Sequence, residues 1–171
     1  MKGSIRAVFI DRDGVINRKA PPHEYITSWR EFEFLPGAID AIRDLSGSDY
    51  KLIIITNQRG IASGKMSIDD LNDIHSNMLK EIMKSGGRID KIYFCPHDDG
   101  CGCRKPLPGM LDEAAKEFGI SLQESWVVGD SESDIELGKS RNCRTIFIGH
   151  DSGADYKVPD LGRAADIIME E

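Results

Sequence analysis

The sequence has no hydrophobic run long enough to cross a bilayer; its apolar stretches, such as residues 52–55, stop after a few positions. The start, Met1-Lys2-Gly3-Ser4, lacks the apolar segment of a secretion signal, so the chain is expected in the cytoplasm and away from membranes. A basic block is missing too. With 22 Lys and Arg against 29 Asp and Glu, the net charge of −7 argues against broad contact with nucleic acid or an anionic surface. Any phosphate the protein handles is therefore met locally. There is no internal repeat, low-complexity tract or long linker, and no stretch long enough for a separate cap domain. Cysteine is scarce, and three of the four crowd together at Cys95, Cys101 and Cys103. In a reducing compartment that crowding favours metal over structural disulfides.

What is present is the composition of a globular chain. A length of 171 residues with 40% hydrophobic and 30% charged content predicts one domain over 1–171, able to bury a core without staples. Short β-rich apolar runs fall at residues 6–10, 52–56, 91–95, 126–129 and 145–148. Near-continuous apolar strands separated by helices predict an α/β fold, a single doubly wound, Rossmann-like parallel sheet covered on both faces.

The helices carry punctuation. Pro36 suits the opening turn of the first, with Leu35, Ile39, Ile42 and Leu45 as its apolar stripe. Ser67 with Asp70 three residues on resembles a capping box, and Leu71, Ile74, Met78 and Ile82 form a buried face before Gly86 and Gly87. His75, among these apolar neighbours, reads as structural. A third helix starts near Pro108 and ends at Gly119, and a fourth follows Asp130 with Ile135 and Leu137 on its apolar side. Residues 164–169 read as a sixth short strand, with no C-terminal helix left to cover it. In such a fold a ligand binds outside the carboxyl ends of the strands, where the strand order reverses.

Four of those ends carry suitable chemistry. The run Ala7-Val8-Phe9-Ile10 stops in Asp11-Arg12-Asp13-Gly14, two carboxylates at the mouth of a buried strand. Such a pair needs a cation and is a natural ligand set for a hard divalent ion, although Asp and Gly alone also suit a solvated turn. The second run ends in Thr56-Asn57-Gln58-Arg59-Gly60, offering a hydroxyl and an amide to phosphate oxygens. Arg104-Lys105-Pro106 follows the third, and Gly129-Asp130-Ser131-Glu132-Ser133-Asp134 the fourth. Asp130 and Asp134 lie about one helical turn apart. Cys95, His97, Cys101 and Cys103 make a four-ligand set fit for a closed tetrahedral zinc site, with a disulfide or free thiols as the alternatives. Cys143, far along the chain, reads as a small buried residue. His23 and Glu24, in the insertion after the first strand, either border the site or belong to a solvated loop.

In order and spacing these four segments resemble the signature motifs of the haloacid dehalogenase-like phosphohydrolases over essentially the whole chain. The resemblance implies that Asp11 is a nucleophile forming an aspartyl-phosphate and Asp13 the general acid/base. It implies Mg²⁺ held by Asp11, the main-chain carbonyl of Asp13 and Asp130, with Asp134 orienting a metal-bound water or Lys105. Thr56 and Lys105 would hold the oxygens of the transferred phosphoryl group, and Gly14 would let the backbone turn close to it. The cysteine loop followed by Arg104-Lys105-Pro106 is similar to the branch that holds heptose-bisphosphate and histidinol-phosphate phosphatases. Residues 56–65, Phe32-Glu33-Phe34 and Pro108-Gly109-Met110 lean toward the heptose enzymes. That implies hydrolysis of the 7-phosphate of D-glycero-D-manno-heptose 1,7-bisphosphate in the route to nucleotide-activated heptose. Asn57, Arg59, Arg104 and Lys105 would contact this small phosphorylated metabolite, Arg104 as a bidentate fork on a second phosphate or on hydroxyls. Histidinol phosphate is the alternative substrate, and a catalytically inactive, zinc-stabilised binding domain the alternative of another class. A monomer is expected.

Overall fold

Every second residue of the apolar run Ala7–Ile10 faces one side of a sheet, and both sides are buried, which is why the run has no polar alternation. The computed structural model describes residues 4–150 and 152–171; Met1 to Gly3, on which the reading of the N-terminal segment partly rests, and Asp151 lie outside them. Six parallel strands, β1 (Ala7–Ile10), β2 (Lys51–Asn57), β3 (Lys91–Cys95), β4 (Trp126–Gly129), β5 (Arg144–Ile148) and β6 (Tyr156–Val158), form one sheet in the order β3-β2-β1-β4-β5-β6. This is the doubly wound order, reversing between β1 and β4. Asp11 N–H donates to the Val128 carbonyl at 2.9 Å and holds those two strand ends together at the switch point.

Helices α1 (Ala38–Ser46), α3 (Ile68–Lys84) and α6 (Leu161–Glu170) cover one face, where Val8, Ile10, Leu52, Ile54, Trp126 and Val128 meet Ile42, Leu45, Leu71, Ile74, Met78 and Ile168. Helices α4 (Gly109–Phe118) and α5 (Glu132–Ser140) cover the other, where Phe9, Ile53, Ile55 and Val127 pack against Met110, Leu111, Ala114 and Leu137. Ser67 caps α3 in a reciprocal box with Asp70, and Gly119 closes α4 in the left-handed region. A single-turn helix, α2 (Arg59–Ala62), follows β2. Among the described residues no helix is long and apolar enough to cross a membrane.

Two expectations are corrected. Residues 164–169 are not a strand but part of α6: the Asp160 side chain accepts from Arg163 N–H at 2.9 Å, and Leu161, Ala164, Ala165 and Ile168 bury one helical face. A C-terminal helix is therefore present, and the sixth strand is the short Tyr156–Val158 at the sheet edge. Pro36 also lies before α1 rather than inside it, because Gly37 at φ 77° turns the chain into the helix.

Candidate active site

Asp11 and Asp13 leave β1 into a polar cavity of about 350 Å³ above the switch point. Lys19, His23, Glu24, Tyr25, Asn57, Gln58, Arg104, Lys105 and Ser131 also line it. His23 and Glu24 thus border the site. His23 adopts φ 67°, a left-handed conformation, in a tight turn closed by Glu24 N–H on the Pro21 carbonyl at 3.0 Å.

At the floor, Lys105 Nζ sits between two carboxylates, donating to Asp11 Oδ1 at 2.9 Å and Asp134 Oδ1 at 2.7 Å, and to the Ile55 carbonyl at 3.2 Å. Burial opposes its charge, but the two acids outweigh that and raise its pKa, so it stays an ammonium. Burial pushes Asp11 well above the usual carboxylate range, with Asp134 and Asp130 adding to the rise and Lys105 opposing it. Asp11 Oδ1 also accepts from Arg12 N–H at 2.8 Å, while Oδ2 meets no donor among the described residues. Asn57 clamps the Lys105 backbone from both directions, accepting from its N–H at 3.0 Å and donating to its carbonyl at 3.3 Å. The Lys105-Pro106 peptide is cis.

Asp13 is held differently. Its Oδ1 accepts from Arg12 Nη2 at 2.8 Å and Asn17 Nδ2 at 2.9 Å, and its Oδ2 from Gln58 Nε2 at 3.0 Å. Burial works to raise its pKa, yet the Arg12 charge and these hydrogen bonds prevail and lower it. Gln58 Nε2 donates as well to Thr56 Oγ1 at 2.9 Å, joining the two expected site residues.

The carboxylates of Asp11, Asp130 and Asp134 bring an oxygen each to within 4.8 Å of one another. Asp134 is satisfied by protein, its Oδ2 taking Ser131 Oγ at 2.8 Å and Ser131 N–H at 3.2 Å. Asp130 is not: Lys19 Nζ lies 3.1 Å from Oδ2, but Oδ1 is buried without a partner. A Cβ on Gly14, which sits at φ 88°, would come within 2.1 Å of Asp130 Oδ2. A carboxylate with one orphaned oxygen, given room by a glycine and set beside two further acidic groups, suits a hard divalent cation.

The cysteine loop gathers as expected. Cys95 Sγ lies 3.6 Å from Cys101 Sγ and 2.9 Å from Cys103 Sγ, and His97 Nδ1 lies 3.3 Å from Cys103 Sγ. All four cysteines are free, Cys143 buried among them, and all four loop donors lie within 4.8 Å. N–H groups of Arg104 and Cys103 lower the Cys101 thiol to about 6, whereas burial and the neighbouring sulfurs raise Cys103 to about 12. Three sulfurs and a nitrogen at this spacing fit a tetrahedral thiophilic ion.

Two residues expected to contact the phosphorylated substrate do not line the cavity: Thr56, buried and bonded to Gln58, and Arg59. Arg59 opens α2 and reaches Asp98 of the cysteine loop at 2.6 Å, half-exposed. Arg12, Asn17, Gln58 and Lys19 are the site residues that sequence reasoning passed over. Their polar type next to the paired acids was the available signal.

Residues 102–170 match a family model described as HAD-hydrolase-like. The D-glycero-beta-D-manno-heptose-1,7-bisphosphate 7-phosphatase of Bordetella bronchiseptica is 38% identical, over 98% of this chain and 99% of its own length. The D-glycero-alpha-D-manno-heptose-1,7-bisphosphate 7-phosphatase of Campylobacter jejuni is 41% identical, over 84% of this chain and 81% of its own. The crystal structure of D,D-heptose 1,7-bisphosphate phosphatase from B. bronchiseptica, complexed with magnesium and phosphate, superposes with a TM-score of 0.89 at 32% identity, covering 97% of this chain and 99% of that one. Related at this identity over nearly its whole length and sharing the doubly wound sheet, the chain belongs to the haloacid dehalogenase-like phosphatases, in the family of the heptose-1,7-bisphosphate 7-phosphatases.

Proposed function

We infer that the protein removes the 7-phosphate of a D-glycero-D-manno-heptose 1,7-bisphosphate through an aspartyl-phosphate, acting as a single-domain, cytoplasmic monomer. The observation that carries this reading is the cavity holding Asp11, Asp13, Arg104 and Lys105 together in a chain related end to end to such enzymes. Because Asp11 Oδ1 takes the bonds from Lys105 and Arg12 N–H, Oδ2 is the oxygen left to attack phosphorus. As the Asp11 Oδ2–P bond forms, the bond from phosphorus to the sugar oxygen breaks, and Asp13 delivers a proton to that oxygen so that no bare alkoxide leaves. The anionic ester arriving beside Asp13 opposes the pull of Arg12 and raises its affinity for that proton. In the second half a water attacks the phosphoryl group, giving its proton to Asp13, and the Asp11 Oδ2–P bond breaks to release phosphate.

Lys105 and Thr56 hold phosphoryl oxygens, where charge spreads in the transition state. Arg104 meets the second phosphate or the sugar hydroxyls, while Asn57 acts by fixing Lys105. Asp11, the Asp13 carbonyl and Asp130 would hold Mg²⁺, with Asp134 orienting Lys105; the ion supplies the positive charge that lets a carboxylate approach an anionic phosphate. Zn²⁺ on Cys95, His97, Cys101 and Cys103 would brace the loop that presents Arg104.

A panel of the alpha and beta heptose 1,7-bisphosphates, histidinol phosphate and p-nitrophenyl phosphate tests the substrate. The highest kcat/KM is expected on a heptose bisphosphate. Faster turnover of histidinol phosphate would overturn the assignment, and no turnover of any ester would point to a binding domain. Stripping zinc is expected to raise amide exchange across residues 95–105 and to raise KM about tenfold through Arg104, with kcat little changed. Unchanged exchange and KM in a zinc-free sample would remove the structural role.

A further inference from the structure

The side chain of Arg12, between the two catalytic acids, does not enter the cavity. It is fully buried, and its guanidinium has three neighbours: Nη2 donates to Asp13 Oδ1 at 2.8 Å, Nη1 lies 3.1 Å from His75 Nε2, and the Phe32 ring centre is 5.9 Å away. Its Nε has no partner. A guanidinium is expensive to bury, and here one carboxylate offsets its charge. Such a charge is costly merely to fill space.

His75 comes from the middle of α3, a residue on a face otherwise made of Leu71, Ile74, Met78 and Ile82. Arginine is a donor only, so His75 Nε2 is the acceptor and the imidazole is the neutral Nδ1–H form. Burial and the Arg12 charge keep it neutral, lowering its pKa to about 3. The histidine is thus a fixed acceptor, anchored on a 17-residue helix, that sets where the guanidinium lies.

The consequence falls on Asp13. Its Oδ1 is occupied by two donors, Arg12 and Asn17, whereas Oδ2 receives one, from Gln58. We propose that Arg12, braced by His75, is a positioning residue that turns the Asp13 carboxyl so that Oδ2 carries the proton exchanged with the leaving oxygen and with water. The proposal rests on the acid/base role given to Asp13 above. His75 acts at one remove, through Arg12, and touches no reacting atom.

Substitutions of Arg12 leave Asp13 without its cation and risk misfolding, so the test uses His75. His75→Leu removes the acceptor while keeping bulk, and His75→Gln puts a carbonyl oxygen back. Both are compared with the unaltered protein in Mg²⁺ on two esters. A heptose bisphosphate needs its leaving alkoxide protonated; p-nitrophenyl phosphate has a leaving group that departs without a proton. For His75→Leu, kcat/KM, which reports only the half-reaction that expels the leaving group and not the hydrolysis of the aspartyl-phosphate common to both esters, is expected to fall about 10- to 100-fold on the sugar ester, a part of what a general acid contributes, and less than about threefold on the aryl ester. KM on the sugar ester stays within about twofold, and His75→Gln recovers most of the loss. Equal losses on both esters, no loss on the sugar ester, or a change confined to KM would overturn the positioning role. If the unaltered protein turned over neither ester, the phosphatase reading itself would fall and the proposal with it, an outcome distinct from those three.

Discussion

Asp11→Asn abolishes turnover, by about 10⁴-fold or more, while leaving the fold intact. The amide cannot attack phosphorus as a carboxylate does, and removing a nucleophile costs orders of magnitude that no neighbour recovers. Stability is expected to hold because burial and two nearby acids make a charged Asp11 costly, and a neutral amide of the same shape relieves that cost. Its carbonyl oxygen can still accept from Lys105 and from Arg12 N–H, the two bonds the carboxylate makes. Steady-state kinetics paired with urea unfolding separates the two effects. A variant retaining a tenth of the activity would remove Asp11 from the chemistry, and one that failed to fold would show the carboxylate to be a structural element.

The second large effect is on stability. Lys105→Met removes the buried ammonium that lies between Asp11 and Asp134, leaving these two carboxylates, which face a third at Asp130, without their common cation. Breaking a buried pair from one side costs about 3–5 kcal/mol. The midpoint of denaturant unfolding measured in a chelator is expected to fall accordingly. Added Mg²⁺ is expected to restore part of the loss, since an ion that binds the folded state alone stabilises it by mass action. Activity is expected to stay low in either case, because the phosphoryl oxygens have lost their lysine. An unchanged midpoint in the chelator would mean that the acids share charge by another route.

Much of the fold is legible from composition and spacing because its strands are buried on both faces. Phe9 and Val127 face one helical layer, Ile10 and Val128 the other, and the run of apolar residues records both. That signal weakens at the sheet edge. Tyr156-Lys157-Val158 is three residues long with an exposed lysine, so nothing in it exceeds what a loop would show. Residues 164–169 form a short apolar run that fits strand or helix equally, and only the Asp160 cap distinguishes them.

The site divides along similar lines. Asp11, Asp13, Lys105, Asp130 and Asp134 are legible because strand ends on one edge of a parallel sheet must converge, whatever the side-chain rotamers. Arg59 shows the limit of that argument, since one turn of α2 carries it to Asp98 instead of the cavity. Gln58, Arg12 and His75 belong to a buried hydrogen-bond network around Asp13, and such a network has no sequence period. His75 shares its helical face with four apolar side chains, so spacing assigns it to the core and says nothing of Arg12.

The central claim is that one carboxylate oxygen, on Asp11, receives the phosphoryl group. Beryllofluoride added with Mg²⁺ mimics that group on a nucleophilic carboxylate, and a crystal structure of the adduct shows which atom it bonds. Beryllium bonded to Asp11 Oδ2, with its fluorines toward Lys105 and Thr56, is the predicted result; an adduct on Asp13, Asp130 or Asp134 would contradict the account.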